Sequence, residues 1–128
     1  MSRTGKKSIK RGDVLLVDLG APEHGSEQAG TRPVVVVSNN RVNSHYHVYT
    51  VVPLTTRMYR PELATNVLVP ANKEEGVTRD AVALCAQIRS IDEERILRKK
   101  GRLNKDTLER VTKGVLIQIG IEPMGLLS

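Results

Sequence analysis

The chain has no Trp, no Phe and only three Tyr in 128 residues, so it lacks the row of aromatic faces on which single-stranded nucleic acid modules stack successive bases. One cysteine, Cys85, leaves no partner for an internal disulfide. With no Cys or His partners at ligand spacing, no zinc site is expected, and Cys85 reads as a small core residue. His45 and His47 share a polar stretch without a neighbouring carboxylate or thiol, a poor metal pattern, and no cofactor is implied. No apolar run comes near the roughly 20 residues that cross a membrane, and the N-terminus lacks the apolar segment of a signal peptide. A cytoplasmic chain with no membrane partner is expected.

Acids are absent from the first eleven residues, and this shapes the charge. The formal net charge is +6, the kind of excess that attracts polyanions. Arg3, Lys6, Lys7, Lys10 and Arg11 supply five of the 20 basic residues, which leaves 15 basic against 14 acidic groups in the rest. Residues 1–9 read as a disordered basic tail and residues 10–128 as one domain, long enough to bury roughly two-thirds of its unfolded surface. Two acid-free stretches stand out within that domain: Arg41, Arg57 and Arg60, then Arg95, Arg98, Lys99, Lys100, Arg102 and Lys105. Such runs are most often solvated surface, and some of them touch phosphate.

Short apolar segments follow one another at close spacing. Val14 to Leu19 predicts a strand with Leu15, Val17 and Leu19 on one face and Val14, Leu16 and Asp18 on the other. Further strands are predicted at 32–38, 48–54, 66–69 and 81–86, with 87–90 extending the pairing. Asn39-Asn40 predicts a turn into a polar loop, and Arg57 to Leu63 a basic loop closed by Pro61. Ser90 and Glu93 stand at capping-box spacing before a short helical stretch, 92–97. Asn104 is a candidate N-cap for one long helix over 105–119, in which Leu108, Val111, Val115 and Ile119 share a face and after which Gly120 stops the chain. Many short strands and one terminal helix indicate a mostly β fold, a small and strongly bent sheet or barrel.

The stretch Gly25-Ser26-Glu27-Gln28-Ala29-Gly30-Thr31-Arg32-Pro33 runs straight into Val34-Val35-Val36-Val37. Gly25 and Gly30 free the backbone to turn, whereas the valines favour a strand. Arg32 precedes a proline and is therefore biased towards an extended conformation at the strand entrance. This stretch resembles the signature of the MazF/PemK family of toxin endoribonucleases. Three more landmarks of that family follow the expected order: Lys10-Arg11-Gly12-Asp13-Val14, Val51-Val52-Pro53-Leu54-Thr55-Thr56 and Gln87-Ile88-Arg89-Ser90-Ile91-Asp92. The resemblance implies an SH3-like barrel of the PemK/CcdB type with added helices, usually a homodimer. It also implies a toxin that cuts single-stranded RNA at selected sequences without a metal, leaving a 2',3'-cyclic phosphate and a 5'-hydroxyl. Its partners would be messenger RNA and a cognate antitoxin with an acidic, extended tail.

Metal-free RNA cleavage needs a base for the ribose 2'-hydroxyl, a positive group for the charge growing on phosphoryl oxygens, and help for the leaving oxygen. Glu27, a carboxyl with an ordinary pKa of about 4.3, would be ionised at neutral pH and is competent as the base. Arg32 offers a permanent charge and a planar fork of donors matched to phosphate oxygens. Thr55, aligned with a family position, can donate its hydroxyl to the same phosphate. Gln28, Arg57, Gln87 and Arg89 are candidate RNA contacts. His24 lies close in sequence, but a histidine in a polar loop is more often simply solvated. Each residue also has a plainer reading: Glu27 bonding loop amides, Arg32 in a strand-edge ion pair, Thr55 closing a turn, Arg89 paired with Asp92.

One departure from the family pattern matters. Where some relatives carry an Arg and an Asp two residues apart and use them in cleavage, this chain has Leu84 and Ala86. The chemistry then rests on Glu27, Arg32 and Thr55. Two noncatalytic alternatives are a gyrase poison resembling CcdB and an RNA-binding barrel. The first acts through a C-terminal Trp-Gly-Ile, whereas this chain has no Trp and ends Gly-Leu-Leu-Ser. The second is disfavoured by the missing aromatics.

Overall fold

Alternation of Leu15 and Val17 against Val14 and Leu16 suits β1, Asp13–Asp18, to a place inside a sheet with apolar layers on both sides. The computed structural model, which describes residues 8–21, 25, 28–57, 60 and 62–122, places it there. After β1 come β2 (Thr31–Val36), a short helix α1 (Asn40–His45), β3 (Val48–Thr55), β4 (Asn66–Val69) and β5 (Ala81–Leu84). Then follow β6 (Arg89–Asp92), β7 (Ile96–Arg102) and the terminal helix α2 (Lys105–Gln118). The fold is mostly β with a C-terminal helix.

All pairings are antiparallel, in the order β4-β5-β3-β2-β1-β7. Strand β3 serves two partners, β6 along Val48–Val51 and β5 along Leu54–Thr55. The change of partner occurs at a 3-10 turn over Cys85–Gln87. Strands β4 and β7 are the two ends of the order, so the sheet is not closed by hydrogen bonds. Helix α2 lies over β4 and the 85–87 turn, and β7 packs against a second 3-10 turn at Lys73–Glu75.

The bent sheet separates two apolar clusters. One contains Val14, Val35, Val52, Leu54, Val67, Cys85, Val111 and Val115 beneath α2; the other contains Leu15, Val17, Leu19, Val34, Val36, Tyr49, Val51, Ile91 and Ile96. The two-face reading of β1 is thus met, each face feeding its own cluster. Ile9, expected in the disordered tail, is buried in the second cluster, while residues 1–7 lie outside the described residues. An apolar residue next to the first strand gains more from burial than the chain loses by ordering one more position.

Buried charge ties the edge strand to the rest. Asp13, fully buried, accepts from the Lys10 amide (2.8 Å) and pairs with Lys99 (3.2 Å) and Arg102 (3.0 Å). Arg11 donates to the Val37 carbonyl (2.6 Å) and to Thr112, which anchors α2. Asn104 caps α2 as expected, its Oδ1 accepting from the Thr107 amide, and Gly120 follows the helix with φ +85°.

Three local expectations change. The stretch 92–97 is a 3-10 turn at Glu93–Arg95, capped by Asp92 and not by Ser90, and the chain then enters β7. In β7 the basic run forms an edge strand, where charge blunts unpaired backbone groups. Asn39-Asn40 opens α1 and not a loop, because Asn39 Oδ1 accepts from the Val42 amide. The 81–86 strand stops at Leu84, where the chain turns to change partners. Arg57 to Leu63 remains partly undefined, since Met58, Tyr59 and Pro61 lie outside the described residues.

Candidate active site

The glycine-containing loop between β1 and β2 is closed at its neck. Gly30 donates to the Gly20 carbonyl (2.7 Å) and Leu19 to the Gly30 carbonyl (2.9 Å), while Asp18 Oδ1 accepts from the Gly20 amide. Gly20 and Gly30 have φ of +81° and +75°, conformations that cost little only without a Cβ. Gly25, the other expected turn glycine, is not in that region. Ser26, Glu27 and His24 lie outside the described residues, so the candidate base is placed by sequence alone.

Strand register brings Arg32 and Thr55 together. The β2–β3 ladder pairs Val36 with Val51, Val35 with Val52 and Val34 with Pro53. The ladder ends at Val34 and Pro53, and Arg32 and Thr55 lie two residues beyond it on their respective strands. Both line a cavity of about 150 Å³, together with Pro33, Leu54, Thr56 and Thr78. Arg32 lies in the extended backbone of β2, as its place before Pro33 predicts; its side chain is exposed, and its Nε donates to the Ala29 carbonyl (3.0 Å). No carboxylate among the described residues pairs with it, so the strand-edge ion-pair reading finds no partner there. Thr55 is buried, and its Oγ1 accepts from the Arg57 amide (3.2 Å). The turn-closing reading therefore holds, yet it occupies only an acceptor site and leaves the O–H free to donate.

The other candidates divide. Gln87 Oε1 accepts from the Gln28 amide (3.2 Å), linking the loop to the 85–87 turn. The side-chain Oε1 of Gln28 is buried with no hydrogen-bond partner among the described residues, an acceptor in want of a donor. Arg57 joins Thr55 through its backbone alone and is otherwise exposed. Arg89 sits in β6 opposite Val51 and does not line the cavity. Its suggested partner Asp92 is occupied in accepting from the Glu94 amide. Ala86 is exposed in the 85–87 turn and Leu84 is buried, so neither position supplies a charge.

Two cations in the cavity lining, Arg79 and Lys100, carry no sequence signal that marks them as site residues. Arg79 follows an irregular segment, and Lys100 was one member of a run with nothing to mark it. Cys85 is not a nucleophile: burial pushes its thiol up to about 12, and it packs under α2 with Sγ 3.5 Å from the Val111 carbonyl. His45 ends α1, and His47 Nδ1 contacts the buried Glu93 (2.6 Å), a carboxylate that sequence did not place beside it. Among the described residues no three His, Cys, Asp or Glu side chains are grouped to hold a metal. No helix among them is long and apolar enough to cross a membrane.

Residues 10–119 match the family model described as the PemK-like, MazF-like toxin of type II toxin-antitoxin systems. The chain belongs to this family. All four sequence landmarks fall inside the matched region. Endoribonuclease EndoA of Bacillus subtilis (strain 168) is 36% identical over 113 residues, covering 88% of this chain and 96% of that protein. MazF from Deinococcus radiodurans shares the fold with a TM-score of 0.74 at 24% identity, over 88% of this chain and 97% of that one. A mycobacterial endoribonuclease solved in complex with its cognate antitoxin has a TM-score of 0.68 at 22% identity, over 91% and 97% of the two chains.

Proposed function

We infer that this chain is the toxin of a type II toxin-antitoxin pair and acts as a sequence-specific, metal-independent endoribonuclease. Within that activity, one observation carries the site assignment: Arg32 and Thr55, from different strands, share one cavity. Glu27 takes the proton from the ribose 2'-hydroxyl, whose oxygen then attacks phosphorus. The bond from phosphorus to the 5'-oxygen breaks, and that oxygen takes up a proton from water. Arg32 N–H groups and the Thr55 hydroxyl hold the non-bridging oxygens, where charge grows in the transition state. The products are a 2',3'-cyclic phosphate and a 5'-hydroxyl. Gln28, Arg57, Gln87 and Arg89 contact the RNA around this centre.

We read the scaffold as an SH3-like barrel; in support, α2 packs on edge strand β4 and the 73–75 turn on edge strand β7. The domain, with Ile9 packed into its core, lies behind a basic tail and works in the cytoplasm. A homodimer fits the exposed apolar side chains of Leu68 on β4 and Ile119 beside α2. The antitoxin would be a protein with an acidic, extended tail, since a cationic cleft is closed most directly by an anionic peptide that orders on binding. Light scattering tests both assemblies. A species of 14.1 kDa at micromolar concentration would refute the dimer, and an unchanged mass after addition of the product of the neighbouring small reading frame would refute the pairing.

Incubation of the purified chain with a long RNA in excess EDTA tests the activity. Discrete cuts bearing 5'-hydroxyl ends are expected. Cleavage that needs added Mg²⁺ would reject the metal-free mechanism.

A further inference from the structure

We propose that Lys100, with Arg79, holds a second backbone phosphate of the RNA, adjacent to the one held by Arg32 and Thr55. The proposal rests on the endoribonuclease reading and extends it to a residue whose placement depends on a strand irregularity. In the β1–β7 ladder Val14 pairs with Gly101 and Leu15 with Lys99, so Lys100 has no partner across the strand. It is the extra residue of a β-bulge, a device that turns a side chain out of the regular alternation. Lys100 accordingly lines the cavity, while Lys99 beside it is committed to Asp13.

Two backbone approaches hold the bulge in place. A Cβ on Gly101 would lie 2.3 Å from the Glu75 carbonyl carbon, and one on Gly76 would lie 2.6 Å from that of Lys100. Strand β7 is thus laid directly on the segment that continues to Thr78 and Arg79, and the two cations reach one cavity from two parts of the chain.

Charge counting argues for more than one phosphate. Arg32, Arg79 and Lys100 line the cavity, and no acid among the described residues does. Nearby carboxylates are engaged elsewhere: Glu75 accepts from Asn72 (3.1 Å) and Asn104 (2.8 Å), and Asp80 from the Ala71 amide (2.8 Å). None of the three cations pairs with a carboxylate among the described residues. A phosphodiester carries one negative charge, so even with Glu27 of the loop counted as an anion, three cations leave a charge of about +2, more than a single phosphodiester neutralises. Size argues the same way. At about 150 Å³ the cavity is smaller than the roughly 300–1,000 Å³ of pockets that enclose whole ligands, so it takes backbone and leaves the bases outside.

The test measures affinity for an RNA blocked by 2'-O-methyl groups, across salt concentrations. Lys100→Met should weaken binding about tenfold at low salt and lower the slope of log affinity against log salt by about 0.7. Lys100→Arg should restore both values. Lys113→Met, which removes an exposed cation on α2, should change neither. Cut positions on unmodified RNA should stay as in the wild type, because phosphate contacts carry no sequence information. An unchanged affinity and slope for folded Lys100→Met overturns the proposal. If that variant does not fold, Arg79→Gln, at an exposed position, reads the same slope, and no change there overturns it equally. Failure of the underlying reading looks different: the wild type would bind the blocked RNA but leave unmodified RNA uncut.

Discussion

Replacing Arg32 with Ala should lower the rate of RNA cleavage by about two to three orders of magnitude, the usual result of removing a donor aimed at transition-state charge. The loss belongs to chemistry and not to folding. Arg32 is exposed and makes its side-chain hydrogen bond to a loop carbonyl, so circular dichroism and thermal midpoint should stay close to wild type. Arg32→Lys should recover only part of the rate, since an ammonium keeps the charge but not the planar fork. Glu27→Gln should slow single-turnover cleavage while leaving affinity for a blocked RNA nearly unchanged, as expected of a base that acts after binding. Wild-type cleavage by folded Arg32→Ala would remove Arg32 from the mechanism.

Gly101→Ala should be the most damaging conservative change, costing about 3 kcal/mol or more, at or above the upper end of ordinary overpacking. The new methyl group would stand 2.3 Å from the Glu75 carbonyl carbon and 2.4 Å from its oxygen. Both are backbone atoms, so no side chain can swing aside to relieve the clash. Against a total stability of roughly 5–15 kcal/mol, such a loss would be plain in a guanidinium midpoint. Gly25→Ala is the matched control, because nothing lies within 4 Å of its added Cβ. Since Gly101 adjoins the bulge at Lys100, whatever Gly101→Ala protein remains folded should also bind RNA more weakly. A midpoint indistinguishable from wild type would show that β7 and the 73–76 segment are not packed as closely as described.

Much of this protein is determined by sequence in the literal sense that neighbouring residues suffice. Alternating apolar residues make β1 a two-faced strand, whatever lies on either side. Asn104 caps α2 through an amide three residues away, and Gly120 ends it through its own φ. The four landmarks that mark the family are local strings and so are legible as sequence, although Arg11, Asp13 and Gln87 within them act on partners far along the chain. Arg32 could be placed at a strand entrance because the proline after it restricts its backbone.

Tertiary structure decided the rest. The meeting of Arg32 with Thr55 follows from the β2–β3 register, a relation between segments about 20 residues apart that neither segment states alone. Strand β7 hid within a basic run because an exposed edge strand interrupted by bulges loses the period of two by which strands are recognised. Of the cations in that run, Arg95 bonds the Asp18 carbonyl, Lys99 and Arg102 hold Asp13, and Lys100 turns into the cavity. All are equivalent to an observer of the sequence. They differ because each one's partner is supplied by a distant part of the chain, and only folding determines which partner comes within reach.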